Sequence, residues 1–152
     1  MTFERVYTIW DYYDGVRSGI AEYSGTPHHY DCEWDEGKDD YSDTFVLSPV
    51  DGETLSLALE QWAIWREWEH KFHQGAVSQS THPALPGQHE RYVELQAILD
   101  KRLSDTLPSK RARAIFRPLV NQTIKISGIM RELEVHWETI HKDEMSTWLP
   151  SS

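Results

Sequence analysis

Two residue pairs in the sequence have the spacing of metal ligands on a helix. Glu67 and His70, and again Glu138 and His141, are three positions apart, which places a carboxylate and an imidazole on one helical face. Two such pairs on facing helices, with two more glutamates, form the di-iron site of a four-helix bundle. The sequence predicts only two helices, and Glu138 lies at the end of a predicted strand. Exposed polar pairs are therefore the better interpretation, and no metal is expected.

Further ligand-type side chains lie between His28 and Cys32. On a strand these two residues share a face but are about 13 Å apart, which is too far for one metal ion. His29 and Asp31 are about 6.5–7 Å apart and have no obvious third ligand. Cys32 shares its face with aromatic residues, which predicts a buried, unreactive thiol. We expect no metal, no cofactor and no catalytic residue here.

The stretch from Trp10 to Gly19 places acids and an arginine beside aromatic rings. This combination suits a sugar or peptide ligand. Two nearby carboxylates are also what a glycosidase uses for catalysis. Asp14 and Gly15 have an alternative role, because this pair is a strong signal for a hairpin turn. The candidate ligand-binding residues are Trp10, Asp11, Tyr12, Asp14 and Arg17.

Acidic side chains are concentrated between positions 31 and 43. Residues 1–60 carry 14 acidic and 3 basic side chains, whereas residues 101–152 carry 6 acidic and 9 basic ones. The acidic segment lacks the spacing and closing glutamate of an EF-hand loop, so it is not expected to bind calcium. A negative surface repels nucleic acid and anionic membranes and favours a basic protein partner. The candidate partner-binding residues are Asp31, Glu33, Asp35, Glu36, Asp39 and Asp40.

Period-two patterns predict the strands that position these candidates. Strands are expected at residues 5–13, 19–23, 28–35, 44–47, 111–119 and 131–140, with a helix as the alternative for the last. In the third strand, Trp34 is expected on the same buried face as Cys32. Residues 36–43 are expected to form an acidic loop. The basic strand at 110–117 is expected either beside the acidic segment or in competition with it for a partner.

Two helices complete the predicted fold. Residues 53–74 form a tryptophan-rich helix whose apolar arc is about twice the usual width, with polar residues such as Gln61 and Glu69 at wet edges. A second helix is expected at 89–103, after a mobile surface loop at 76–88. The fold class is α+β, a mainly antiparallel sheet of five to six strands with two helices packed on one face, in a single domain spanning residues 1–152.

Composition restricts the cellular compartments in which the protein is expected. Cys32 is the single cysteine, so an internal disulfide is excluded and a reducing compartment is favoured. The N-terminus lacks the pattern of a signal peptide, and no apolar run approaches the roughly 18 residues of a membrane span. We expect a cytoplasmic protein that does not associate with membranes. The common phosphate-binding, hydrolase and metalloprotease motifs are absent, which favours a non-enzymatic role.

Two segments resemble small bacterial proteins with no assigned function. They are residues 10–21, WDYYDGVRSGIA, and residues 57–62, LALEQW. The resemblance implies no activity, ligand or catalytic residue. From the charge pattern we expect a cytoplasmic interaction module that binds a basic protein, as an inhibitor or immunity protein does. The alternative is a small-molecule-binding or hydrolytic protein with an aromatic-lined site near residues 10–17.

Overall fold

A computed structural model of the chain describes residues 1–10, 15–119 and 132–140. The strands and helices are β1 Glu4–Arg5, β2 Ser18–Tyr23, β3 Thr26–Asp35, β4 Asp40–Pro49, α1 Gly52–His73, α2 His89–Ser104, β5 Lys110–Pro118 and β6 Leu133–Thr139, with a short 3-10 helix at Gln79–Thr81. Residues 133–139 thus form a strand, and the helical alternative is wrong. β4 begins four residues before the predicted strand, so the acidic loop is shorter than expected.

The six strands form one antiparallel sheet in the order β1-β6-β5-β4-β3-β2. The two ends of this order approach each other, because Val6 forms an isolated bridge with Ala21 of β2. The sheet is therefore nearly closed into a barrel, which leaves few exposed edges. The predicted antiparallel sheet and its strand number are confirmed.

The N-terminal segment closes this barrel irregularly. Tyr7 and Thr8 both donate their backbone N–H to the carbonyl oxygen of Ile20, at 2.8 and 3.1 Å. The two donors on one acceptor interrupt the alternation of a regular strand, so Thr8 and Ile9 are both buried. The predicted strand at 5–13 is consequently wrong in its length: β1 ends at Arg5, and residues 11–13 lie outside the described part of the chain.

An aromatic cluster fills the barrel. The rings of Tyr30, Phe45, Phe116 and Trp137 contact one another in all six possible pairs, with centroids 5.8 to 6.0 Å apart. These tilted and edge-on arrangements are the favourable geometries for aromatic rings. The core is therefore assembled from four strands, β3 to β6, with one ring from each.

The described residues divide into two compact units. One is built on the strands, and the other contains the two helices, Val50–Thr106, together with the described residues of Pro118–Leu133. Asp51 caps α1 by accepting a hydrogen bond from the backbone N–H of Thr54 at 2.8 Å. Gly75, with a φ of 76°, follows the helix in the left-handed conformation that commonly ends one. The packing of the helices on one face of the sheet stays a prediction, as does the single domain. No helix in the described ranges is long and apolar enough to cross a membrane.

The helical unit buries polar residues that were expected at wet edges. Gln61 is buried and donates a hydrogen bond to Gln96 of α2 at 2.7 Å. Glu69 is fully buried and forms an ion pair with Arg66 at 2.5 Å. The predicted wet edges are wrong at these positions, because each side chain has a polar partner that allows its burial.

The connection between the helices also contributes to their core. Ala84 is fully buried and packs with Ile64 of α1 and Leu95 of α2. Thr81 accepts a hydrogen bond from the indole nitrogen of Trp68 at 2.8 Å. The expectation of a purely surface loop at 76–88 is therefore wrong at Thr81 and Ala84. The mobility of the loop stays a prediction.

Candidate binding site

The β3–β4 hairpin carries all six acidic candidates. Its turn is built by Asp35, whose Oδ1 accepts hydrogen bonds from the backbone N–H groups of Gly37 and Lys38 at 3.0 and 3.3 Å. Asp39 has a left-handed backbone, with a φ of 50°, which aspartate tolerates better than most residues. Asp40 pairs with Asp35 in the sheet and begins β4. The acidic residues therefore form the turn itself in addition to charging it.

A bulge in β4 separates this hairpin end from the rest of the sheet. Cys32 pairs with Phe45 and Trp34 pairs with Tyr41, so residues 42–44 of β4 stand opposite Glu33 alone. Such bulges bend a strand and redirect its side chains. Trp34 is 51% exposed, and its expected place on a buried face is wrong because the bulge ends the regular register. Its ring contacts Tyr41 edge-on, with centroids 5.2 Å apart.

The acidic residues at this end differ in exposure. Asp31, Glu36, Asp39 and Asp40 are exposed, and Asp35 is half-buried. Glu33 is engaged within the chain by Arg111 of β5, whose Nε and Nη2 donate to its two oxygens at 2.5 and 3.0 Å.

The basic strand lies beside the acidic segment, which was the first of the two arrangements expected for it. In addition to the bidentate pair, Arg113 lies 3.5 Å from the carboxylate of exposed Asp43. The Arg111–Glu33 pair is much less exposed, at 14% and 18% for the two side chains. Two carboxylates of the acidic segment therefore already have arginine partners, and the exposed ones at the turn contribute most to its negative surface.

A cleft of about 920 Å³ opens beside the hairpin. Phe45 and Phe116 from the aromatic core and Ala114 of β5 contribute apolar surface to it, and Trp34 and Tyr41 contribute aromatic surface. Charged side chains from the hairpin, from β5 and from the segment before β2 complete its lining: Arg17, Glu33, Asp35, Glu36, Lys38, Asp43 and Arg111. Its size is within the range of sites that hold small molecules or peptide side chains.

The two candidate sites share residues in this cleft. Arg17, from the aromatic candidate set, lines it, and its guanidinium lies over the Tyr41 ring at 4.3 Å from the centroid. Trp10 lies against His29, with ring centroids 5.9 Å apart, and bridges to Ser18 of β2. Asp11, Tyr12 and Asp14 lie outside the described residues.

The other chemical candidates have structural roles where they are described. His28 is buried, with Nδ1 at 2.8 Å from the carbonyl oxygen of Thr26 and its ring edge-on to Tyr23. Burial raises the pKa of the Cys32 thiol, which lies 3.2 Å from the Ser42 carbonyl oxygen. A raised pKa disfavours the nucleophilic thiolate. Within residues 1–10, 15–119 and 132–140, no group of three or more ligand-type side chains could hold a metal ion.

We expect His29 to make the stability of the fold depend on pH. Burial lowers its pKa below the usual 6.5, and the nearby Asp31 opposes that shift. The unfolded chain therefore binds the proton at a higher pH than the folded one, so the free energy of unfolding should fall as the pH drops below 6.5 toward the folded value. We expect His29→Gln to reduce this slope in urea unfolding measured at successive pH values. Equal slopes for the variant and the wild type would contradict the assignment.

Sequence reasoning missed the cleft because it placed the start of β4 at Thr44. The contact between Trp34 and Tyr41 was not predicted for the same reason, because Tyr41 falls in the predicted loop. The alternation of arginines in 111–117 was a usable signal for the partner of Glu33, although it does not specify the register.

No protein-family model, no curated protein and no solved structure matches the chain. The resemblance to small bacterial proteins therefore stays a prediction.

Proposed function

We propose that this protein is a non-enzymatic binding module whose β3–β4 hairpin recognises a basic protein partner. The observation that carries the proposal is the exposed Trp34, set against Tyr41 at an end of the sheet that also presents exposed carboxylates. Tryptophan and tyrosine are enriched among the residues that dominate binding energy in protein interfaces. Their ring faces also attract lysine and arginine.

The charge of the chain supports the same partner. The formal net charge is −10, and residues 31–43 contain seven carboxylates and one lysine. Opposite charge on a partner would accelerate encounter and fix orientation, and salt would weaken both effects. An inhibitor or immunity-type role in a bacterial cytoplasm fits a small acidic module of this kind, and the thiol of Cys32 suits a reducing compartment.

A small-molecule site is the second candidate function. It is favoured by the cleft, where Arg17 and the aromatic rings meet, rather than by the acidic turn. The mixed charge of the lining suits a ligand with both polar and aromatic parts.

Charge reversal at the turn tests the leading proposal. Glu36→Lys with Asp40→Lys changes two exposed carboxylates at the hairpin. The matched control, Glu67→Lys with Asp105→Lys, makes the same charge change at exposed positions of the helical unit. We expect immobilised wild type and control to capture the same protein from a lysate of the source organism at low salt, and the hairpin variant to lose most of it.

The capture is read by mass spectrometry, and circular dichroism confirms that each variant is folded. Equal capture by the hairpin variant and the control would contradict the proposal. Capture of nothing by wild type, together with a ligand that changes its tryptophan fluorescence, would favour the small-molecule site.

A further inference from the structure

The cleft lies where the pairing between β4 and β5 stops. The ladder runs from Leu47 and Lys110 to Thr44 and Arg113. Both strands continue beyond it, β4 back to Asp40 and β5 on to Pro118. In the described part of the chain, the continuation of β5 therefore has β6 as its strand neighbour on one side and no β4 pairing on the other.

The β4 bulge begins where this pairing stops. The hydroxyl of Ser42 accepts a hydrogen bond from the backbone N–H of Thr44 at 3.1 Å and lies 3.4 Å from the carbonyl oxygen of Thr44. The Ser42 side chain thus bonds to backbone N–H and C=O groups of the kind that pair between strands. The register of β4 against β3 shifts across residues 42–44, and these residues line the cleft together with Ala114 and Phe116 of β5.

The surfaces around this space differ in chemistry. Ala114 and Phe116 of β5 line it, and Phe45 extends the apolar surface from the aromatic core. The hairpin contributes Trp34 and, at its turn, the carboxylates of Asp35 and Glu36 with the ammonium group of Lys38. An extended chain directs alternate side chains to opposite faces, so a segment laid along β5 would place one set on the apolar surface and leave the other set to approach the hairpin.

We infer that the cleft receives an extended segment of the basic partner, added as a strand along Ala114–Phe116, in which apolar and basic side chains alternate. This inference rests on the proposed function and adds the mode of recognition. Strand addition supplies affinity through backbone hydrogen bonds and specificity through alternate side chains. The negative charge of the hairpin favours basic side chains on the outward-facing positions of the partner segment. One of these cations can lie over the ring of Trp34.

Synthetic peptides test this mode of recognition on the wild-type protein, and one variant serves only to assign a resonance. The probe is an acetylated, amidated hexapeptide in which valine and arginine alternate, and the matched control alternates valine and glutamate. We expect the arginine peptide, at millimolar concentration, to shift the backbone amide resonances of residues 114–116 and the indole resonance of Trp34. Trp34→Phe assigns that indole signal. The glutamate peptide should cause neither shift.

Methylated peptides separate strand addition from simple charge attraction. Two versions of the arginine peptide carry N-methyl groups on the valines or on the arginines, which removes the backbone donors along one edge at a time. Strand addition uses one edge, so at least one version should bind roughly tenfold more weakly. Undiminished binding of both versions, shifts confined to the hairpin turn, or no shifts at all would overturn strand addition. The proposed function would still stand in those cases if charge reversal abolishes capture of the partner, and it would fall if capture is unaffected.

Discussion

Gly19→Ala should destabilise the protein by about 3 kcal/mol, a large part of the 5–15 kcal/mol typical of a domain. A Cβ at this position would lie 2.1 Å from the carbonyl oxygen of Thr8 and 2.6 Å from the hydroxyl of Tyr30. The first of these atoms belongs to the backbone, and three hydrogen bonds hold Thr8 in place. Its carbonyl oxygen accepts one from the Tyr30 hydroxyl at 2.7 Å, its hydroxyl accepts one from the backbone N–H of Ile20, and its own N–H donates to the Ile20 carbonyl oxygen. The added methyl group must therefore separate the N-terminal segment from β2, where the barrel closes.

Gly52→Ala is the matched control for this prediction. A Cβ at Gly52 meets nothing within 4 Å, and the residue is the first of α1, where alanine is well tolerated. Urea unfolding followed by circular dichroism should show a clear loss for Gly19→Ala and little change for Gly52→Ala. Equal stability of the two variants would mean that the N-terminal segment does not close the sheet in this way.

Arg111→Met should cost about 2 kcal/mol of folding stability, because it leaves the carboxylate of Glu33 largely buried without its bidentate partner. The same substitution at Arg91 is the control. Arg91 also forms a bidentate pair, with Glu60 at 2.6 and 2.7 Å, but both side chains are 40% or more exposed. Exposed pairs contribute little, so Arg91→Met should have a much smaller effect in the same unfolding assay.

The double variant Glu33→Leu with Arg111→Met separates the two contributions. It removes both charges and should recover part of the stability that Arg111→Met loses, since no isolated charge remains. If Arg111→Met and Arg91→Met are equally mild, the pair beside the cleft is not the constraint that the structure indicates.

Local patterns predicted the elements whose signals are local. The helix from Gly52 to His73 follows from its cap at Asp51 and its stop at Gly75, and β6 follows from strict alternation. Each rests on residues within a few positions of one another. The register between strands was not available in this way, because Glu33 and Arg111 are 78 positions apart.

The candidate site was predicted only in part for the same reason. The acidic residues and Arg17 were selected from composition and spacing, as two separate sites. Their meeting in one cleft depends on the bulge at residues 42–44, where a serine hydroxyl competes with the ladder. A pattern based on alternation assumes an uninterrupted strand, so it placed Trp34 on a buried face and gave no indication that Trp34 is exposed and contacts Tyr41.

The most direct test of the basic-partner proposal is the affinity of the captured partner for wild type, Trp34→Ala and Val93→Ala, measured by calorimetry over a range of salt concentrations. Val93, on α2 and 64% exposed, controls for loss of an exposed apolar side chain. We expect affinity to fall as salt rises, Trp34→Ala to bind roughly 30-fold more weakly, a loss of about 2 kcal/mol, and Val93→Ala to match wild type. Binding that is independent of salt and equal for all three proteins would contradict recognition at the acidic hairpin.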